Sequence, residues 1–280
     1  MSGRLSVCLG KGPKGKTRDY VKYGVDMPHN EWTISPLLLA TAEVDRSQGL
    51  LYRDVGVKME SGVLAFLLSN GETRLLVDSG VCGIAETSRF LQYFNRTLEQ
   101  TLEAQLARFE TSPDEISMII NTHLHIDHCA GNILCTKARW LVQKREMEYW
   151  RSPLRVHKQA YRVELTEKSF DLLDGDTEIL PGIRVILTPG HSPGSQSVLV
   201  DTSEGLYILA GDSIPHFENM NVPDNEPFWP NGIYVNLYEY YETLNRLKEL
   251  KGVILPSHDL FVLEKNQYPG DMKPEKNAGL

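Results

Sequence analysis

A chain of 280 residues, 41% apolar and 24% charged, has the composition of a globular protein with a full core, which excludes a disordered or disulfide-dependent chain. Its formal net charge of −8 argues against a broad phosphate-binding surface and so against nucleic acid as a partner. No run approaches membrane-spanning length, the first residues show no secretory pattern, and Cys8, Cys82, Cys129 and Cys135 make no CxxC pair, so a cytoplasmic protein with a small-molecule substrate is expected.

Along the chain, Gly10, Gly12 and Gly15 match a GxGxxG spacing, but Pro13 and the basic residues after it offer no helix to hold a pyrophosphate. A solvated basic turn is the better reading. His29 and Trp32 follow as candidates for a site mouth, His29 more simply as an exposed residue. Short apolar runs ended by turn signals predict strands at 63–68, 74–77, 116–120, 183–187, 197–200, 207–210 and 253–255. Helices are expected over 89–109, 151–162 and 236–250, the last with Leu237, Tyr240, Tyr241, Leu244 and Leu247 as its buried stripe. Hairpin-like strand pairs interrupted by helices suggest stacked sheets with helices outside. No boundary divides the chain, so 1–280 reads as one domain with a loose tail from about Pro269.

Chemistry concentrates in His123-Leu124-His125-Ile126-Asp127-His128, directly after the strand expected to end at Ile120. His191, Asp212 and His258 each follow another predicted strand through a short turn, so separate elements could converge on one edge. Imidazole and carboxylate suit divalent metals of the zinc type, and seven such side chains suffice for two ions sharing a carboxylate.

With these residues in view the sequence resembles the metallo-beta-lactamase superfamily, and within it the N-acyl-homoserine lactonase group. Asp78-Ser79-Gly80, the central motif, Gly190-His191-Ser192, Gly211-Asp212 and Ser257-His258-Asp259 carry the resemblance. It implies a four-layer αββα sandwich of the α+β class, two mixed sheets flanked by helices. It also implies one metal on His123, His125 and His191, a second on Asp127, His128 and His258, Asp212 bridging both, and Asp78 orienting a ligand imidazole. The implied reaction is hydrolysis of a lactone by a metal-bridging hydroxide. The ligand set itself accepts zinc, iron, manganese or cobalt, zinc being the first expectation; Asp127 is expected as a proton carrier and a homodimer as one assembly. Such an enzyme acts in quorum quenching.

The group commonly carries a tyrosine three residues after the bridging aspartate, where this chain has Pro215. His216, beside it, is a candidate donor or acid, against a surface-loop histidine. Phe228, Trp229 and Tyr234 are candidate pocket walls, against packing under a long loop. Glyoxalase II-type thioester hydrolysis uses the same ligands but adds a helical segment after the last histidine. True beta-lactamases place cysteine at Asp212, RNA-processing relatives want a basic surface, and di-iron relatives carry glutamate at His125. A metal-binding protein without catalysis is expected to lose ligands, and all seven positions are filled here.

Overall fold

The computed structural model describes residues 31–82, 94–161 and 170–270. Cys8, the GxGxxG-like segment, His29 and the tail from 271 onward lie outside them.

In chain order the elements are β1 (Thr33–Asp45), α1 (Arg46–Gly49), β2 (Lys58–Ser69), β3 (Arg74–Val77), β4 (Phe94–Asn95), α2 (Leu102–Ala107), β5 (Met118–Ile120), α3 (Ile126–Cys129), β6 (Arg139–Gln143), α4 (Lys144–Arg151), β7 (Phe170–Leu173), β8 (Thr177–Leu180), β9 (Ile183–Leu187), β10 (Gln196–Thr202), β11 (Gly205–Leu209), α5 (Leu237–Glu249) and β12 (Val253–Leu255). Among the described residues they form a seven-stranded sheet, β4-β1-β2-β3-β5-β6-β7, and a five-stranded sheet, β12-β11-β10-β9-β8. Both are mixed: β3, β5, β6 and β7 run parallel, as do β11 and β12, while the remaining pairs are antiparallel.

Side-chain alternation turns these sheets into layers. Leu75 and Val77 of β3, Val198 and Val200 of β10, and Tyr207 and Leu209 of β11 meet in a cluster between the sheets. The residues between them face outward: Leu76 joins Leu102, Leu106 and Met147 from α2 and α4, and Leu199, Ile208 and Ile254 join Tyr240, Leu244 and Leu247 of α5. Two sheets flanked by helices on their outer faces result, the αββα sandwich expected. The unbroken apolar run of β2 has the same cause, since residues 61–68 are buried on both faces of a central strand.

The structure corrects three expectations. Among the described residues of that span, 94–109, only Leu102–Ala107 is α-helix; Phe94 and Asn95 instead pair with β1, and Thr101 starts the helix by accepting from the Ala104 amide. The helix expected over 151–162 lies earlier, at α4, and turns follow it past Pro153, which disfavours helical geometry in the residue before it. On α5 Tyr241 is exposed and Thr243 takes its place in the buried face, donating to the Pro189 carbonyl at 2.7 Å.

What positions the site is strand direction. Because β9 and β11 both run antiparallel to β10, strands β9, β11 and β12 point the same way and deliver the residues after them to one edge. Parallel β3 and β5 deliver theirs likewise. The sheets join there, with the Gly62 amide donating to the His258 carbonyl at 2.9 Å. At the far end of the chain Tyr268 is tied to Ile34 by two backbone hydrogen bonds of 2.7 Å.

Candidate metal centre

At that edge the predicted side chains come together. His123, His125, His191 and Asp212 present atoms within 4.8 Å of one another, and so do Asp127, His128 and His258. Asp212 lies between the clusters. Its Oδ1 is 3.1 Å from His128 Nε2 and 3.0 Å from His258 Nε2, and its Oδ2 is 3.4 Å from His191 Nε2 and 4.0 Å from His123 Nε2.

Hydrogen bonds on the outer ring nitrogens decide what the inner ones offer. His191 Nδ1 donates to the Ile233 carbonyl at 2.8 Å and His258 Nδ1 to the Gly62 carbonyl at 2.6 Å, because a carbonyl only accepts. His128 Nδ1 donates to Asp78 at 2.8 Å. The Thr122 hydroxyl donates to Asp78 at 2.8 Å and so accepts from His123 Nδ1 at 3.1 Å. In neutral rings each Nε2 then carries a lone pair aimed inward.

This arrangement fits a cation and little else. His191 Nε2 stands 3.2 Å from both His123 Nε2 and His125 Nδ1, and His128 Nε2 is buried with no hydrogen-bond partner. Converging lone pairs repel unless a Lewis acid sits among them, and a buried orphan nitrogen is costly. Charge divides the rings: burial, then the neighbouring imidazoles, hold His123 and His125 well below the usual imidazole range, while at His128 and His258 burial is outweighed by the negative groups around them, Asp212 first, which raise the pKa. Burial opposes charge on Asp212, but His258, His128 and His191 hold its carboxyl well below the usual range. The cluster suits two divalent ions.

The metallo-beta-lactamase superfamily model matches residues 60–258. The chain belongs to the metallo-beta-lactamase superfamily. Among superfamily members it is similar to an N-acyl homoserine lactonase of Bacillus thuringiensis, 31% identical over 216 residues that cover 71% of this chain and 81% of that protein. A solved structure of a B. thuringiensis lactonase variant with N-decanoyl-L-homoserine at its active site is 27% identical, with a TM-score of 0.69 over 82% of this chain and 94% of that one. An N-acyl homoserine lactone hydrolase with its product N-hexanoyl-L-homoserine at the catalytic metal center matches with the same identity, coverage and TM-score.

The other predicted residues have definite places in this superfamily fold. Asp78 is buried after β3 and also accepts from the Thr122 amide at 2.7 Å. His216 is only 5% exposed, so it is not a surface-loop histidine; its ring packs on Gly49, and burial, then His258, push its pKa down to about 4. Beside it, the Pro215 carbonyl accepts from the His258 amide at 2.9 Å. Phe228 packs toward the α5 cluster, with Lys248 Nζ 5.5 Å from its ring centre. Trp229 donates from its indole to the Leu51 carbonyl at 3.0 Å and carries Arg53 4.0 Å over its ring. Tyr234 is half-buried, and a hydrogen bond with Tyr52 raises its phenol pKa. Cys129 is buried, its thiol donating to the His125 carbonyl at 3.2 Å, and burial pushes its pKa well up.

Sequence reasoning missed the residues of 228–234 that reach the centre. Asn231 donates to the Asp212 carbonyl at 2.6 Å and its amide nitrogen lies 3.3 Å from His191 Nδ1, while Ile233 supplies the carbonyl that orients His191. Neither contact has a sequence signal, since a carbonyl belongs to every residue and Asn231 reads as a turn former.

Proposed function

We propose that the protein is a metal-dependent hydrolase that opens an N-acyl-homoserine lactone or a similar small cyclic ester. The observation that supports this best is Asp212, one carboxylate oxygen directed to each cluster. Similarity to lactonases whose structures hold acyl-homoserine products supports the substrate class. His123, His125 and His191 would hold one ion, Asp127, His128 and His258 the other, and Asp212 would serve both. Zinc, a borderline acid, suits this nitrogen and oxygen set. When bound, two such ions supply a nucleophilic water at neutral pH and polarise the ester carbonyl.

The chain's own residues do the rest. Water adds to the carbonyl carbon, the ring carbon–oxygen bond breaks, and the departing alkoxide takes up a proton. Asp127, the more accessible carboxyl at 14% side-chain exposure, carries that proton. His216, kept neutral by burial, acts as a hydrogen-bond donor where related lactonases use tyrosine, not as a source of protons at neutral pH. Trp229 and Tyr234 border the acyl arm, and Phe228 belongs to the packing behind them.

Metal analysis followed by turnover assays on lactones, thioesters and phosphodiesters tests the reading. Metal-dependent lactone opening is expected, with His128→Ala abolishing it and lowering metal content. Full metal content without turnover of any lactone would sink the proposal.

A further inference from the structure

Glu146 sits in the first turn of α4, away from every predicted ligand in sequence, yet it is fully buried. Its carboxyl group accepts four hydrogen bonds. Oε1 takes the Leu124 amide at 3.0 Å and the Tyr161 hydroxyl at 2.8 Å; Oε2 takes the Ser192 hydroxyl at 2.6 Å and the Gly194 amide at 3.1 Å. Leu124 lies between His123 and His125, and Ser192 follows His191. Tyr161 in turn packs edge-on against His125, ring centres 4.7 Å apart. One carboxyl thus ties together the loops that carry all three histidines of one cluster, and it touches no ligand nitrogen. The approach is tight: a Cβ on Gly194 would lie 2.1 Å from the Glu146 amide nitrogen, so only glycine admits the helix start there.

The geometry points to Glu146 as a positioning residue that sets the spacing of His123 and His125 against His191, and so the affinity of that cluster for its cation. The inference rests on the proposed metal site. An amide at this position must turn its NH₂ toward either the Leu124 or the Gly194 backbone N–H, a donor that cannot accept, which pushes one loop away. His128 and His258 hang on Asp78 and Gly62 instead, so the change reaches their cluster less directly.

Cobalt(II) titration of the full chain, followed by its visible absorption, tests this. His258→Ala isolates the three-histidine site and His125→Ala isolates the other. Glu146→Gln is expected to weaken cobalt at the three-histidine site by about 10–100-fold and the other by less than about 3-fold, as for other partners that orient ligands. Ser192→Ala, which removes one of the four donors, should weaken the same site by a smaller factor and guards against misfolding of the first variant. Unchanged affinity at the three-histidine site in both variants, or equal weakening at both sites, overturns the inference. A wild-type chain that takes up two cations but opens no lactone sinks the hydrolase reading alone. One that takes up none sinks both.

Discussion

Asp78 adopts a left-handed backbone at φ 60°, which places its carboxyl under His128. Asparagine tolerates that backbone too, so Asp78→Asn isolates the electrostatics. One of its three acceptor contacts must then meet an NH₂, and metal affinity at the His128 cluster should fall about 10–100-fold in a chelator competition assay. His216 offers a test by pH. Its folded pKa near 4 lies below an unfolded value near 6.5, so the unfolded chain binds the extra proton between them. Stability is therefore full above pH 6.5 and is lost as pH falls toward 4. For a shift from about 6.5 to about 4 the loss amounts to about 3 kcal/mol. Urea unfolding of the metal-free chain at pH 7 and pH 4.5 should show a smaller difference in His216→Gln than in wild type. An equal difference in both would place the titration elsewhere. At this scale the seven candidate ligands were legible because each pairs a rare residue type with a strand end. Asn231 and Glu146 were not, because ordinary residue types acquire their partners only through packing.

Turns do as much as strands to aim the ligands. Gly190, at φ 136°, precedes His191, and its carbonyl accepts from the Val235 and Asn236 amides at 2.8 and 3.1 Å. That contact welds the turn to the start of α5. A Cβ there would stand 2.4 Å from the Tyr240 Cα, so Gly190→Ala should cost more than about 2 kcal/mol in urea unfolding and lower metal content together. Strands 74–77, 183–187 and 253–255 were read from the sequence with the bounds the structure has. Each is a short apolar run between turn formers. β1 was missed although it is 13 residues long, because Pro36 and its unbroken apolar stretch hide the alternation. Pairing with β2 along its whole length makes it a strand nonetheless.

Across the molecule, the centre staples one sheet to the other: His123 to His128 follow β5, and His191, Asp212 and His258 follow strands of the second sheet. Bound metal should therefore stabilise the whole fold. At a free metal concentration about 1,000 times Kd the gain is about 4 kcal/mol, or roughly 8 °C in Tm, lost on chelation and reduced in His258→Ala. A scanning calorimetry trace unmoved by chelator would show that the centre does not link the sheets. The core between the sheets makes a separate demand, and Leu209→Ala should cost about 2–5 kcal/mol, with metal added or withheld. Apolar runs ended by turn signals were enough to suggest stacked sheets with helices outside, because such runs mark buried strands, and the spaced histidines and aspartates were enough to place a candidate metal site at strand ends. Which nitrogen of each histidine faces inward, and that His216 is buried, were decided only in three dimensions. Those properties arise from carbonyls, carboxyls and ring contacts brought together from residues far apart in the chain, and no local pattern in the sequence encodes them.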